Sequence, residues 1–181
     1  MKLKLLSLIL ILNFTNAYAG KFDITTGYFS LTGKSSGRES TVSGAGIYEA
    51  SYLSSFKEKF EFFVGYSLTM TNIVGGDMSF GPKIGVNFYP INYASNEIIQ
   101  LEGKTIEVYD YWKPYVGVSF NQRQFQSVRN SFAGLGFNLG TEKYINQQIT
   151  IKTELKLNSY TGPSNSTASE MNLLVGLVYG F

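Results

Sequence analysis

The chain contains no histidine and no cysteine. Without histidine it lacks the side chain that most often serves as a general base or a zinc ligand near neutral pH. Without cysteine it has neither thiolate chemistry nor disulfides. A Ser-His-Asp triad, a Cys-His pair and a Cys/His metal centre are therefore excluded. Charge is scarce as well. Charged residues make up 15% of the chain, against about 25% in an ordinary soluble domain. Glycine (19) and aromatic residues (15%, with Tyr 13 and Phe 14) are abundant instead. The length of 181 residues suits one domain, with at most a short appendage.

Residues 1–19 read as a secretory signal. Lys2 and Lys4 supply the positive start, Leu5 to Leu12 is an apolar run too short to span a bilayer, and Ala17-Tyr18-Ala19 offers a cleavage site before Gly20. A short uncleaved membrane anchor is the alternative. No cysteine follows the small residues, so anchoring through a lipidated cysteine is excluded. Two of the 15 basic residues leave with the signal and no acid does, so 13 of each sign remain and the mature net charge is zero. Nothing basic is left over to meet nucleic acid.

The rest of the chain alternates. Met171, Leu173, Val175, Leu177, Tyr179 and Phe181 fall on one face of a strand, and Asn172, Leu174, Gly176, Val178 and Gly180 on the other. Ile149, Ile151, Leu155 and Leu157 oppose Thr150, Lys152, Glu154, Lys156 and Asn158. The same period of two runs through 133–140, 116–121, 78–88 and 60–70, and less cleanly through 21–32 and 39–53. Phe22, Ile24, Thr26 and Tyr28 form the apolar face of the first segment. Turn signals stand between segments, among them Gly33 to Gly37, Gly75-Gly76-Asp77, Asn130, Asn146 and Gly162-Pro163-Ser164-Asn165. The pattern predicts an all-β, eight-stranded antiparallel up-and-down barrel. Most strands are long enough to cross a bilayer at about 9–11 residues each.

A soluble lipocalin-like barrel alternates too, with its apolar face inward. Three features favour the membrane version. The apolar faces are continuous. The opposite faces carry Gly, Ser, Asn and Thr rather than a charged surface. Aromatics collect where periplasmic strand ends fall if both termini lie in the periplasm: Phe22, Tyr48, Tyr52, Phe56, Phe60, Phe88, Tyr89, Tyr93, Tyr109, Tyr111, Trp112, Tyr115, Tyr144, Tyr179 and Phe181.

The closing segment Leu173 to Phe181 resembles the last strand of bacterial outer-membrane barrels. In that family the terminal aromatic, here Phe181, an aromatic two residues earlier, here Tyr179, and the surrounding alternation with Gly176 form a signal read by the barrel-assembly machinery. Leu174 stands where the family prefers a polar residue. Residues 20–181 resemble the small OmpA/OmpX/OmpW-like transmembrane barrels, with Phe88-Tyr89-Pro90 and Lys113 to Val118 matching the region around the fourth and fifth strands. The resemblance implies an outer-membrane location, lipid and possible lipopolysaccharide contacts, a monomer and no cofactor. Residues 91–112 are long for a periplasmic turn. They read as a small hairpin around Glu102-Gly103-Lys104 that extends strands four and five, with a ten-stranded barrel as the alternative. Pro114 fits the start of a strand, where its missing N–H costs least.

Seven charged residues take the inward face: Glu61, Lys83, Arg123, Glu142, Lys152, Glu154 and Lys156. Eight strands enclose a space just wide enough for side chains, so pairing is expected. Lys152 and Glu154 look to Glu142, Glu61 or Arg123. The result is a salt-bridged plug or a charged conduction path. Enzymes among small outer-membrane barrels, both hydrolases and proteases, rely on a histidine that this chain lacks. Glu39, Asp77 and Glu170 fall in expected extracellular loops without forming a motif. Lys34, Arg38, Arg123 and Arg129 supply positive charge near those loops, and Asn165-Ser166-Thr167 is a sequon there. The expected role is structural or surface-interacting. A minor channel for small or hydrophobic molecules and a soluble lipophile-binding barrel are the alternatives. Mass spectrometry of the exported protein should find Gly20 at its N-terminus; a chain beginning at Met1 would support the uncleaved anchor.

Overall fold

The computed structural model describes residues 20–56, 59–70, 78–91, 97–101, 104–108, 112–126, 131–146 and 148–181. Residues 1–19, expected to be a signal, and Asp77, Arg129 and Asn130 lie outside them. The alternating segments form β1 (Gly20–Ser35), β2 (Arg38–Phe56), β3 (Phe60–Met70), β4 (Met78–Phe88), β7 (Trp112–Phe125), β8 (Ser131–Tyr144), β9 (Ile149–Thr161) and β10 (Thr167–Gly180). These eight close into one antiparallel barrel in the order β1-β10-β9-β8-β7-β4-β3-β2. The segment between β4 and β7 contributes β5 (Glu97–Leu101) and β6 (Lys104–Val108), which pair only with each other. Arms of five residues cannot cross a bilayer, so the barrel has eight staves and not ten.

Side-chain direction follows the strand period. Ile24, Leu135, Val118 and Leu173 point outward with 60–71% of their surface exposed, whereas Asp23, Glu49, Lys83 and Lys152 are buried inside. A lipocalin-like barrel would have the reverse arrangement. Along the outside, the apolar band ends at one rim in exposed Gln122, Gln124, Ser131, Ser159, Thr161, Thr167 and Ser169. At the other rim, where Gly20 and Phe181 lie, exposed Phe22, Tyr52, Phe56, Phe60, Trp112, Tyr179 and Phe181 form an aromatic girdle. Three expected girdle members lie elsewhere. Tyr89 and Tyr115 have inward parity and are buried, and Tyr48 pairs with Leu68 near the far end of β3. Tyr93, Tyr109 and Tyr111 fall outside the described residues.

The irregular second segment has a local cause. Gly27 pairs with Ile47 and Phe29 with Gly44, so both Ala45 and Gly46 stand against Tyr28. This bulge shifts the parity of β2 and turns Ile47, Glu49, Ser51 and Leu53 inward. The β1–β2 turn is two residues long, with Ser36 at φ 49° and Gly37 at φ 76°, the backbone of a type I′ hairpin. The ladder between β4 and β7 breaks between Phe80↔Gln124 and Lys83↔Asn121. Pro82 has no N–H to give there, and the strands come so close that a Cβ on Gly81 would lie 1.8 Å from the Gln122 carbonyl oxygen.

Leu173 sits mid-strand on the outer face. Leu173→Arg should lower stability in a lipid bilayer by about 2–4 kcal/mol, read by urea titration, while Thr167→Arg at the polar rim should cost far less. Equal effects would show that the outer band does not face hydrocarbon.

Candidate functional site in the barrel lumen

The inward residues of the eight strands form three connected clusters. The central one is built on Glu49 of β2, which accepts hydrogen bonds from both Lys83 of β4 and Lys156 of β9. Lys156 also lies 2.9 Å from Glu154. Lys152 bridges Asp23 of β1 at 2.7 Å and Glu154 at 3.3 Å, and the Tyr115 hydroxyl donates to Glu154 at 2.5 Å. The Phe63 ring lies within 6 Å of both Lys83 Nζ and Lys156 Nζ, close enough for cation–π attraction.

Toward the aromatic rim, Lys21 Nζ lies 2.7 Å from Glu61 Oε2. The Tyr89 hydroxyl is 2.8 Å from both Glu61 and Glu142. Burial, followed by the charges of Glu142 and Glu61, holds the Tyr89 phenol well above its ordinary pKa, so it keeps its proton. Lys113 Nζ lies 4.2 Å from the centre of the Tyr89 ring. Toward the polar rim, Arg123 meets Glu170 through Nε at 3.0 Å and Nη2 at 2.5 Å. Tyr160 and Asn172 donate to the same carboxylate at 3.0 and 2.6 Å. Between the clusters, Asn121 reaches Ser119 and Asn158. Glycines make room for these long side chains. A Cβ on Gly140 would meet the Tyr115 hydroxyl at 2.3 Å.

All seven inward charges named from the sequence are buried in the lumen. Their partners differ from those expected. Lys152 and Lys156 pair with Asp23 and Glu49 across the barrel, whereas Glu61 is held by Lys21 and Arg123 by Glu170. Stave tilt and stagger explain this, because they bring distant sequence positions to one height. Glu170 is not in a loop; it is 3% exposed and forms a two-point pair with Arg123. Arg123 therefore adds no charge to the loops. Glu39 is exposed and pairs with Lys34 at 3.0 Å. The signal Asp23 offered was its parity with Thr25 on β1; the bulge hid the parity of Glu49.

The C-terminal residues have separate positions. Tyr179 is exposed on the girdle, Gly176 pairs with Thr25 and Lys152, and Phe181 N–H donates to the Gly20 carbonyl at 3.1 Å across the closing seam. At the polar rim a groove of about 630 Å³ is lined by Lys34, Arg38, Glu39, Phe132, Ser166 and Thr167 among others. Among the described residues no group of three acids gathers in a way that could hold a metal.

A closed eight-stranded barrel, apolar outside, aromatic at one rim and charged within, defines a transmembrane β-barrel of the bacterial outer-membrane kind. Among solved structures the chain is similar to Neisserial surface protein A, with a TM-score of 0.59 and 13% identity over 90% of this chain and 97% of that one. It is also similar to the outer membrane protease OmpT from Escherichia coli, with a TM-score of 0.50 and 9% identity over 92% and 98%. A third structure, Ail, the attachment invasion locus protein of Yersinia pestis, aligns at a TM-score of 0.46 and 12% identity over 91% and 100%. The first two likenesses show a shared fold. No family model matches the sequence, and neither does any curated protein.

Removing one partner of a buried pair leaves an uncompensated charge. Glu170→Ala should cost about 3–5 kcal/mol by denaturant titration, whereas Lys34→Ala, in an exposed pair, should cost under about 1 kcal/mol. Equal small costs would mean that the lumen charges are solvated.

Proposed function

We propose that this protein is a monomeric outer-membrane barrel that acts as a sealed, non-catalytic scaffold, holding its polar-rim strands at the cell surface. One observation supports this above the others: nearly all of the inward charges pair with one another inside the lumen. The space beside Gly81, Pro82 and Arg123 has no room for a water molecule. In this reading the aromatic rim faces the periplasm and both chain ends with it. The β5–β6 hairpin then lies on the periplasmic side, and the C-terminal Tyr179 and Phe181 address the barrel-assembly machinery. The outer band meets lipid. Lys34 and Arg38, beside the polar-rim groove, are placed to meet lipopolysaccharide phosphates.

The side chains of the lumen point to structure rather than chemistry. Each cluster is closed on itself, and the chain supplies no histidine or cysteine to act as base or nucleophile. Purified protein in planar bilayers should show no steady conductance step. A large, stable single-channel step would overturn the sealed lumen in favour of a channel. Recovery of the protein from the soluble periplasm, with no heat-dependent mobility shift on a denaturing gel, would overturn the membrane location itself.

A further inference from the structure

At the aromatic end of the lumen the hydrogen-bond count does not close if every acid is ionised. Tyr89 Oη is 2.8 Å from Glu61 Oε1 and 2.8 Å from Glu142 Oε1. A phenol has one proton to donate. It can give that proton to one carboxylate and must accept from the other. Glu61 is the ionised member, because Lys21 holds its second oxygen. Glu142 Oε2 is buried and has no hydrogen-bond partner. Each of the other buried carboxyls, Asp23, Glu49, Glu61, Glu154 and Glu170, has an ion-pair partner. Among the described ion pairs Glu142 has none. Two bare carboxylates sharing one phenol away from water would repel.

We infer that Glu142 carries a proton in the folded protein at neutral pH and donates it to Tyr89, which donates in turn to Glu61, so this end of the lumen is a proton-binding site. The titratable groups around it are accounted for. On β7 these are Lys113, which lies over the Tyr89 ring, and Tyr115, which donates to Glu154. On β9, Lys152 is engaged by Asp23 of β1 and by Glu154. Lys21 of β1 is engaged by Glu61 of β3. Lys143 and Tyr144 follow Glu142 on β8 itself. Lys113 and Lys152 flank Glu142 in register. Lys113 is the cation free to answer a new charge, at the expense of its place on the Tyr89 ring.

A proton bound by the folded state but released by the unfolded chain stabilises the fold at low pH, and that stabilisation is lost as pH rises through the folded-state titration. Glu142→Gln mimics the protonated acid without being able to lose it. Infrared spectra at pH 7, in a detergent without ester groups, should show a protonated-carboxyl stretch. The stretch should be absent in Glu142→Gln and present in the surface control Glu39→Gln. The urea midpoint of Glu142→Gln should match or exceed the wild type at pH 7, and the gap should widen in its favour toward pH 9. A wild-type spectrum without the stretch would overturn the site whether or not the variant folds. So would a stretch that survives in Glu142→Gln, or a variant that is less stable than the wild type at pH 7.

Discussion

Everything in this barrel depends on closure. Inside hydrocarbon a strand must give each backbone N–H and C=O a partner, and only a sheet with no edge can do so. Once the sheet closes, the two-residue period of each strand admits one sorting: one side chain goes to lipid and the next goes inside. The outside can then be as apolar as Ile24, Leu135 and Leu173. The same closure commits Asp23, Glu49, Lys83 and Lys156 to a space with no solvent-facing alternative. The ion pairs are a consequence of that commitment. They leave those charges with partners inside the barrel.

The lumen is also graded along its axis. At the aromatic end Glu61 and Glu142 gather on one tyrosine hydroxyl, with a second tyrosine ring beside it. The middle is a mesh in which two lysines share one carboxylate and each lysine also meets another group. The polar end holds a single guanidinium–carboxylate pair fixed by Tyr160 and Asn172. Arginine suits that last position, because its planar fork matches a carboxylate at two points. Small inward residues such as Gly85 and Gly140 are part of the same design, since they leave room for the long side chains of Phe63 and Tyr115 in a narrow lumen.

Strand number, face assignment and the inward position of the charges were legible in alternation alone, because the period of two survives in most strands. The partner of each charge was not. Pairing depends on the stagger of the staves, which no local pattern reveals, and so Lys152 meets Asp23 from the far end of the chain. The bulge at Ala45-Gly46 hid Glu49 by breaking the period at the point where it was needed. Glu170 was misplaced for a simpler reason. It stands near the start of β10, and the polar stretch before it made the strand look shorter than it is. Tyr89 and Tyr115 were read as girdle residues because composition cannot tell an interfacial tyrosine from one whose hydroxyl serves a buried carboxylate.

The gap in the ladder at Pro82 has a further consequence. Two seams join strands that do not follow one another directly in the chain: the closing one, β1 to β10, and the one between β4 and β7, which is also where pairing breaks. The barrel is thus two four-stranded meanders joined like the halves of a dimer. Ion pairs also cross from one half to the other. Asp23 and Glu49 of the first find Lys152 and Lys156 only in the second, and Tyr89 of the first reaches Glu142 of the second. The lumen is in effect an internal interface, and its charge pattern makes the two halves complementary to each other.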